Sequence, residues 1–183
     1  PAFTDNVTID TTAKTTTIIV TESTPTQLRY GGNGWGSPQN GTVTILDLEE
    51  EYGPINNWDV SQVTNMSELF KDKTSFNEDI SNWDVSNVTK MMEMFKGATS
   101  FNQPLNNWNV SSVSSMNDMF YAASNFNQPI NTWDVSSVTN MTEMFKEATS
   151  FNEDISGWNV SNVTDMSAMF RNSAFNQDIR DWN

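Results

Sequence analysis

From about Pro54 onward, apolar positions recur along this chain with a period of 25 residues. One copy places apolar side chains at Ile80, Trp83, Val85, Val88, Met91, Met94, Phe95, Ala98 and Phe101. The same columns return at Ile130, Trp133, Val135, Val138, Met141, Met144, Phe145, Ala148 and Phe151. Tryptophans at Trp58, Trp83, Trp108, Trp133, Trp158 and Trp182 keep the time. A fixed period between about 20 and 50 residues marks a stack of identical supersecondary units. Within one period, Trp83 and Val85 share a face while Asp84 points away, which predicts a strand of about three residues. Met91, Met94, Phe95 and Ala98 fall at i, i+3, i+4 and i+7, which predicts one stripe of a short helix. Phe101-Asn102-Gln103-Pro104 then turns the chain back. Pro104 and Pro129 share a column with Asp79, Asp154 and Asp178, so that position needs no backbone N–H and belongs in a loop.

The predicted fold is therefore α/β: a solenoid of short parallel strands and short helices with a β segment before it. Residues 1–53 form the N-terminal β arm and cap, and residues 54–183 form a solenoid of five to six repeats. One copy alone buries too little to offset the entropy of ordering its backbone, so stability comes from stacking. The tryptophan and methionine columns are read as core. The asparagines after each Phe (Asn77, Asn102, Asn127, Asn152 and Asn176) are expected to form a buried ladder that satisfies turn backbone groups. Glu68–Lys71, Glu93–Lys96 and Glu143–Lys146 are expected as solvated pairs on the outer face of the helix.

The run Phe76-Asn77-Glu78-Asp79-Ile80-Ser81-Asn82-Trp83-Asp84-Val85-Ser86-Asn87-Val88-Thr89, repeated in each later copy, resembles the leucine-rich repeat of the BspA-like bacterial surface protein family. The resemblance covers residues 54–183. It implies a leucine-rich-repeat solenoid and an extracellular or cell-surface location, with adhesion as the usual role, and it carries over no catalytic residue. Residues 1–50 match nothing in the family pattern.

Composition narrows the chemistry. There are 23 acidic and 9 basic residues, a net charge of −14, and no stripe of Lys or Arg. Nucleic acid is therefore not expected as a partner, nor is an anionic membrane. No run of apolar residues is long enough to insert into a bilayer. With no His and no Cys, the commonest general base and the thiol nucleophile are both missing. Only a mechanism on two carboxylates would remain, and the acidic run Asp47, Glu49, Glu50, Glu51 reads better as a solvated cap than as a glycosidase site. An enzyme is not expected, and neither is a cofactor.

Two surface columns are the candidates for binding. Asp59, Asp84, Asn109, Asp134 and Asn159 should project outward beside a constant column of Ser61, Ser86, Ser111, Ser136 and Ser161. A regular polar face of this kind can hydrogen-bond a glycan or an extended peptide. Asp59 beside Asp84 is the one pairing that suits Ca²⁺, although a solvated acidic stripe accounts for it more simply. Eight Asn-x-Ser/Thr triplets begin at Asn6, Asn40, Asn65, Asn87, Asn109, Asn140, Asn159 and Asn162. Asn6, Asn40, Asn109 and Asn159 are the candidate glycosylation sites, Asn109 and Asn159 because they lie on the outward face.

The ends of the solenoid carry the functional expectation. Phe3, Val7, Ile9 and Ala13 alternate with polar residues, Thr15–Thr21 is β-branched, and Thr42–Leu48 alternates again, predicting three strands. The Gly-rich loop 31–41 holds Trp35, the tryptophan outside the period, read as a plug over the solenoid end in preference to a contact for a partner. At the other end the stripe of Met166, Met169, Phe170 and Phe175 is expected to stay partly uncovered, with strand edges open. A spare N-terminal strand and an open C-terminal edge predict head-to-tail self-association into a filament, through Phe3, Val7, Ile9, Ile18 and Val20 of one copy and Phe175, Ile179 and Trp182 of the next. The alternative is a monomeric adhesin that binds host or environmental glycan or protein on its polar face.

Overall fold

The computed structural model describes residues 7–10, 17–20, 43–44 and 54–182. Phe3, Trp35, the acidic run 47–51 and the candidate sequons at Asn6 and Asn40 lie outside the described residues. Three short strands precede the repeats: β1 (Val7–Asp10), β2 (Thr17–Val20) and β3 (Val43–Thr44). They form one antiparallel sheet in the order β1-β2-β3. Val7 pairs with Val20 and Ile9 with Ile18. The arm is thus not a spare strand, because β1 and β2 bond to each other. Among the described residues β1 keeps one unpaired edge.

From residue 55 the chain winds in superposed coils: 55–79, 80–104, 105–129, 130–154 and 155–178, with 179–182 opening the next. Two of the tight turns in each coil flank the segment that follows its tryptophan. The Trp83 N–H bonds the Ile80 carbonyl (3.1 Å), and the Val88 N–H bonds the Val85 carbonyl (2.9 Å). Between these corners Trp83–Val85 is not a strand. The parallel bridges between coils lie instead at Asn65, Lys90, Ser115, Asn140 and Asp165.

The expected helix over the methionine stripe is not formed either. Within the first coil, the N–H groups of Met66, Glu68, Phe70 and Asp72 donate forward to the carbonyls of Lys90, Met92, Met94 and Lys96 (2.6–3.0 Å), not back along their own coil. The same four bonds recur across each following junction, ending at Asp165, Ser167, Met169 and Arg171. Two positions per coil take positive φ: Glu68, Glu93, Asp118, Glu143 and Ala168 (53–63°), and Asp72, Gly97, Ala122, Glu147 and Asn172 (55–70°). Left-handed residues at intervals of four make a helix impossible. They also turn alternate N–H groups toward the next coil. Peptide dipoles at these positions consequently point the same way along the stack.

The apolar spacing keeps its meaning despite the different backbone. Ile80, Val88, Met91, Met94, Phe95, Ala98 and Phe101 are wholly buried, with Trp83 and Val85 nearly so. Phenylalanines run through the core in two files. Phe70, Phe95, Phe120 and Phe145 stack with centroids 5.4–5.5 Å apart, and Phe76, Phe101, Phe126 and Phe151 at 5.7–6.0 Å. Within a coil the files touch, as at Phe120–Phe126 (4.1 Å). Offset stacking at such distances adds about 0.5–1.5 kcal/mol per pair beyond burial.

Tryptophan does more than fill space. The indole N–H groups of Trp83, Trp108, Trp133 and Trp158 donate to the carbonyls of Ile55, Ile80, Leu105 and Ile130 in the preceding coil, at 2.8–3.2 Å. A buried carbonyl at each corner is satisfied this way, and each coil is clasped to the last.

Candidate functional site

Asp59, Asp84, Asn109, Asp134 and Asn159 are all exposed and stand one per coil. Their side chains are not free, however. Each Oδ1 accepts the backbone N–H of the serine two residues on, at 3.0–3.2 Å. The hydroxyls of Ser61, Ser111 and Ser161 donate to the same oxygen at 2.7–2.8 Å. This is an Asx turn repeated up the stack, fixing the corner after each tryptophan. Hydroxyl and N–H donors from Ser61, Ser86 and Ser136 hold the carboxyls of Asp59, Asp84 and Asp134 below the ordinary 3.8. With one oxygen committed on each, Asp59 and Asp84 offer a cation fewer ligands than the sequence suggests. Among the described residues no three acidic side chains gather around one point.

The asparagine ladder exists, but at the surface and not in the core. The Oδ1 atoms of Asn77, Asn102, Asn127 and Asn152 accept the N–H of Asn102, Asn127, Asn152 and Asn176 at 2.7–3.0 Å. Asn77, Asn127, Asn152 and Asn176 are exposed and Asn102 is half-buried. The side chain reaches one coil onward because the turn after each Phe lies at the rim, where the residue also meets water.

A third file of polar residues also bonds inward. Thr89, Ser114, Thr139 and Thr164 donate their hydroxyls to the carbonyl of the equivalent residue one coil earlier, at 3.0–3.1 Å. Among the sequons, the Asn87 and Asn162 amides donate to the Ser61 and Ser136 carbonyls. Asn109 and Asn159 are exposed and bond only through Oδ1 among the described residues.

The left-handed edge gathers the bases. Lys71 bonds Glu68 (3.1 Å) and reaches Glu93 in the next coil (2.7 Å); Lys96 bonds Glu93 (3.2 Å) and Asp118 (3.0 Å). Lys146 pairs with Glu143 at 2.9 Å. Tyr121 occupies the lysine column and takes ammonium groups from both sides, Lys96 at 4.9 Å and Lys146 at 4.8 Å from its ring centre. The ion pairs expected on a helix thus form on an edge that bridges coils. Sequence spacing within one copy shows the first half of this network, and only the stacking reveals the second.

The first and last of the described coils differ in cover. Ile55, Trp58, Val60, Val63, Met66, Leu69, Phe70 and Phe76 of the first coil are buried, at 6 % exposure or less. In the coil at 155–178, Met169 is buried as well, but Val163, Met166, Phe170 and Phe175 are only partly covered, like Trp182 beyond them. Ile179 is also half-exposed. Trp182 still reaches the Ile155 carbonyl at 3.3 Å.

A family model described as "Mycoplasma protein of unknown function, DUF285" matches residues 44–136 and, in an overlapping placement, residues 106–183. No curated protein and no solved structure matches the chain.

Proposed function

The chain belongs to the DUF285 family, and from that membership and the geometry of the coils we propose that it is a non-enzymatic extracellular scaffold that associates end to end. In this reading the coils are a solenoid of the leucine-rich-repeat class, akin to the BspA-like surface proteins. The observation that carries the proposal is the one-way bonding of the stack, in which each coil donates four N–H groups forward to carbonyls of the next. Unlike ends that meet generate open, head-to-tail chains. The solid core supports a structural role too, since side chains that would line a substrate cleft are spent on packing and on bonds between coils. Localisation outside the cell and N-glycosylation at Asn109 and Asn159 rest on the sequence alone.

The test is the size of the purified chain. Light scattering over a range of concentrations should show mass growing with concentration, and electron microscopy should show rods joined end to end. A single monomeric mass at millimolar concentration would overturn the proposal. A monomeric adhesin that uses the Asp59–Asn159 column is the second reading, favoured by the exposure of that column. It is weaker because each Oδ1 there already serves a serine.

A further inference from the structure

What the sequence alone raises at the sequons, the fold makes selective. Six of the eight Asn-x-Ser/Thr triplets begin on described residues: Asn65, Asn87, Asn109, Asn140, Asn159 and Asn162. Four of them are tied into the stack. The Asn87 and Asn162 amides donate to the Ser61 and Ser136 carbonyls of the preceding coil, at 2.9 and 2.7 Å. Asn65 and Asn140 are half-buried on the file of parallel bridges, where their Oδ1 atoms accept the backbone N–H of Ser67 and Thr142 at 3.0 and 2.9 Å. Among the described residues no hydroxyl donates to the oxygen of these four side chains.

Asn109 and Asn159 are built differently. Both are exposed, and the residue between each and its serine is a core valine, Val110 or Val160, so amide and hydroxyl project together from the stack. The Ser111 and Ser161 hydroxyls donate to the asparagine Oδ1 at 2.7 and 2.8 Å, and the serine N–H groups donate to the same oxygen at 3.2 Å. Nδ2 carries no bond among the described residues. An amide nitrogen is a poor nucleophile because its lone pair is delocalised onto oxygen. Two donors on that oxygen stabilise the negative charge left when a proton departs, so a base can take the Nδ2 proton and free the nitrogen to attack. Beside Asn159 a Cβ at Gly157 would meet nothing within 4 Å, so the approach to that amide is open.

We infer that the fold presents Asn109 and Asn159, and not the other four, as N-glycosylation sites of the folded chain. The donor is an oligosaccharide carried on a polyprenyl diphosphate. In the transfer the bond from Nδ2 to the sugar C1 forms and the bond from C1 to the diphosphate oxygen breaks. The Nδ2 proton passes to a carboxylate of the transferase, and the polyprenyl diphosphate leaves. The inference rests on the extracellular part of the reading above. It also bears on the choice between the two readings there. Asp134 stands between Asn109 and Asn159 in the outward column, so glycans on both sides of it cover the face that a monomeric adhesin would use. They stand on the flank of the rod and leave contacts along its axis free.

The folded full chain, purified without glycan, tests it with a single-subunit oligosaccharyltransferase and its lipid-linked donor. Peptide mapping should find glycan at Asn109 and Asn159 and none at Asn65, Asn87, Asn140 or Asn162. Synthetic peptides of residues 84–92 and 161–168 carry the Asn87 and Asn162 sequons free of the fold, and both should be glycosylated. Asp134→Asn completes a new triplet with Val135 and Ser136 in the same kind of turn, and should add a third attachment to the folded chain. The inference fails if Asn109 and Asn159 stay bare while the peptides are glycosylated, if Asn87 or Asn162 of the folded chain is occupied as fully, or if Asp134→Asn adds nothing. Light scattering on the same samples keeps the readings apart. Association of a chain that takes no glycan sinks this inference alone, and a chain that takes glycan but stays monomeric before and after sinks the end-to-end reading alone.

Discussion

Asp84 shows how a repeated residue can look like a binding group and act as a brace. Its spacing from Ser86 is that of an Asx turn, legible in the sequence as Asp/Asn-x-Ser in every copy. What the sequence does not display is that the turn captures Oδ1, because the outward direction of the column is equally compatible with a free carboxylate. The asparagine ladder is the converse case. Its existence follows from the constant Asn after each Phe, but its position at the rim depends on how the turn sits on the stack. The braces make stability depend on pH. Serine donors depress the folded pKa values of Asp59, Asp84, Asp134, Asp154 and Asp165 below 3.8. Their stabilising contribution is therefore complete above 3.8 and is lost as pH falls below it through the folded values. Urea midpoints should drop between neutrality and about pH 3. Asp84→Asn with Asp134→Asn should flatten that drop while keeping the turn, since Asn109 and Asn159 already make it. An unchanged slope in the double variant would show that these carboxylates do not set the acid limb.

The stripe from Met91 to Ala98 is where the sequence misleads about elements. Four apolar positions at i, i+3, i+4 and i+7 are compatible with any backbone that completes about two turns in eight residues, and a helix is only the commonest. A signal against it was present: Gly97, Asp72 and Asn172 share one column, and these are the residues that tolerate positive φ. A segment this short is also a marginal helix by itself, so the hydrogen bonds offered by the next coil decide the outcome. Ala122, at φ 55°, makes the distinction measurable. In a helix Ala122→Gly would cost about 1 kcal/mol. In the left-handed turn it should stabilise by about 0.5–1 kcal/mol, because glycine removes the Cβ clash. The sign of the shift in chemical denaturation separates the two backbones. At Gly97 (φ 70°) the reverse change puts a Cβ on a left-handed backbone, so Gly97→Ala should destabilise.

At the scale of the whole molecule, stacking was the most legible property, because the period and its tryptophans require it. The direction of the bonds between coils was not legible, since either a helix or a left-handed edge satisfies the same pattern in one copy. A stack of equivalent junctions can be shortened by a whole period. Removing residues 105–129 joins Pro104 to Ile130 just as Pro129 joins it now, and the product should fold cooperatively with a denaturant slope reduced in proportion to its length. Removing 105–116 instead sets core columns against polar ones and should abolish the cooperative transition in circular dichroism. The tryptophan file has a consequence of a different kind. Trp133, Trp158 and Trp182 lie 6.4 Å apart in succession with ring planes inclined by only 3–4°. Light absorbed by one indole does not stay there, because excitation passes readily between identical chromophores at that separation. Parallel rings hand it on with little loss of polarisation. Trp182 is the half-exposed member of this file. A quencher dissolved in water and touching that one ring drains its buried neighbours as well, so the emission of the whole file reports whether Trp182 is covered.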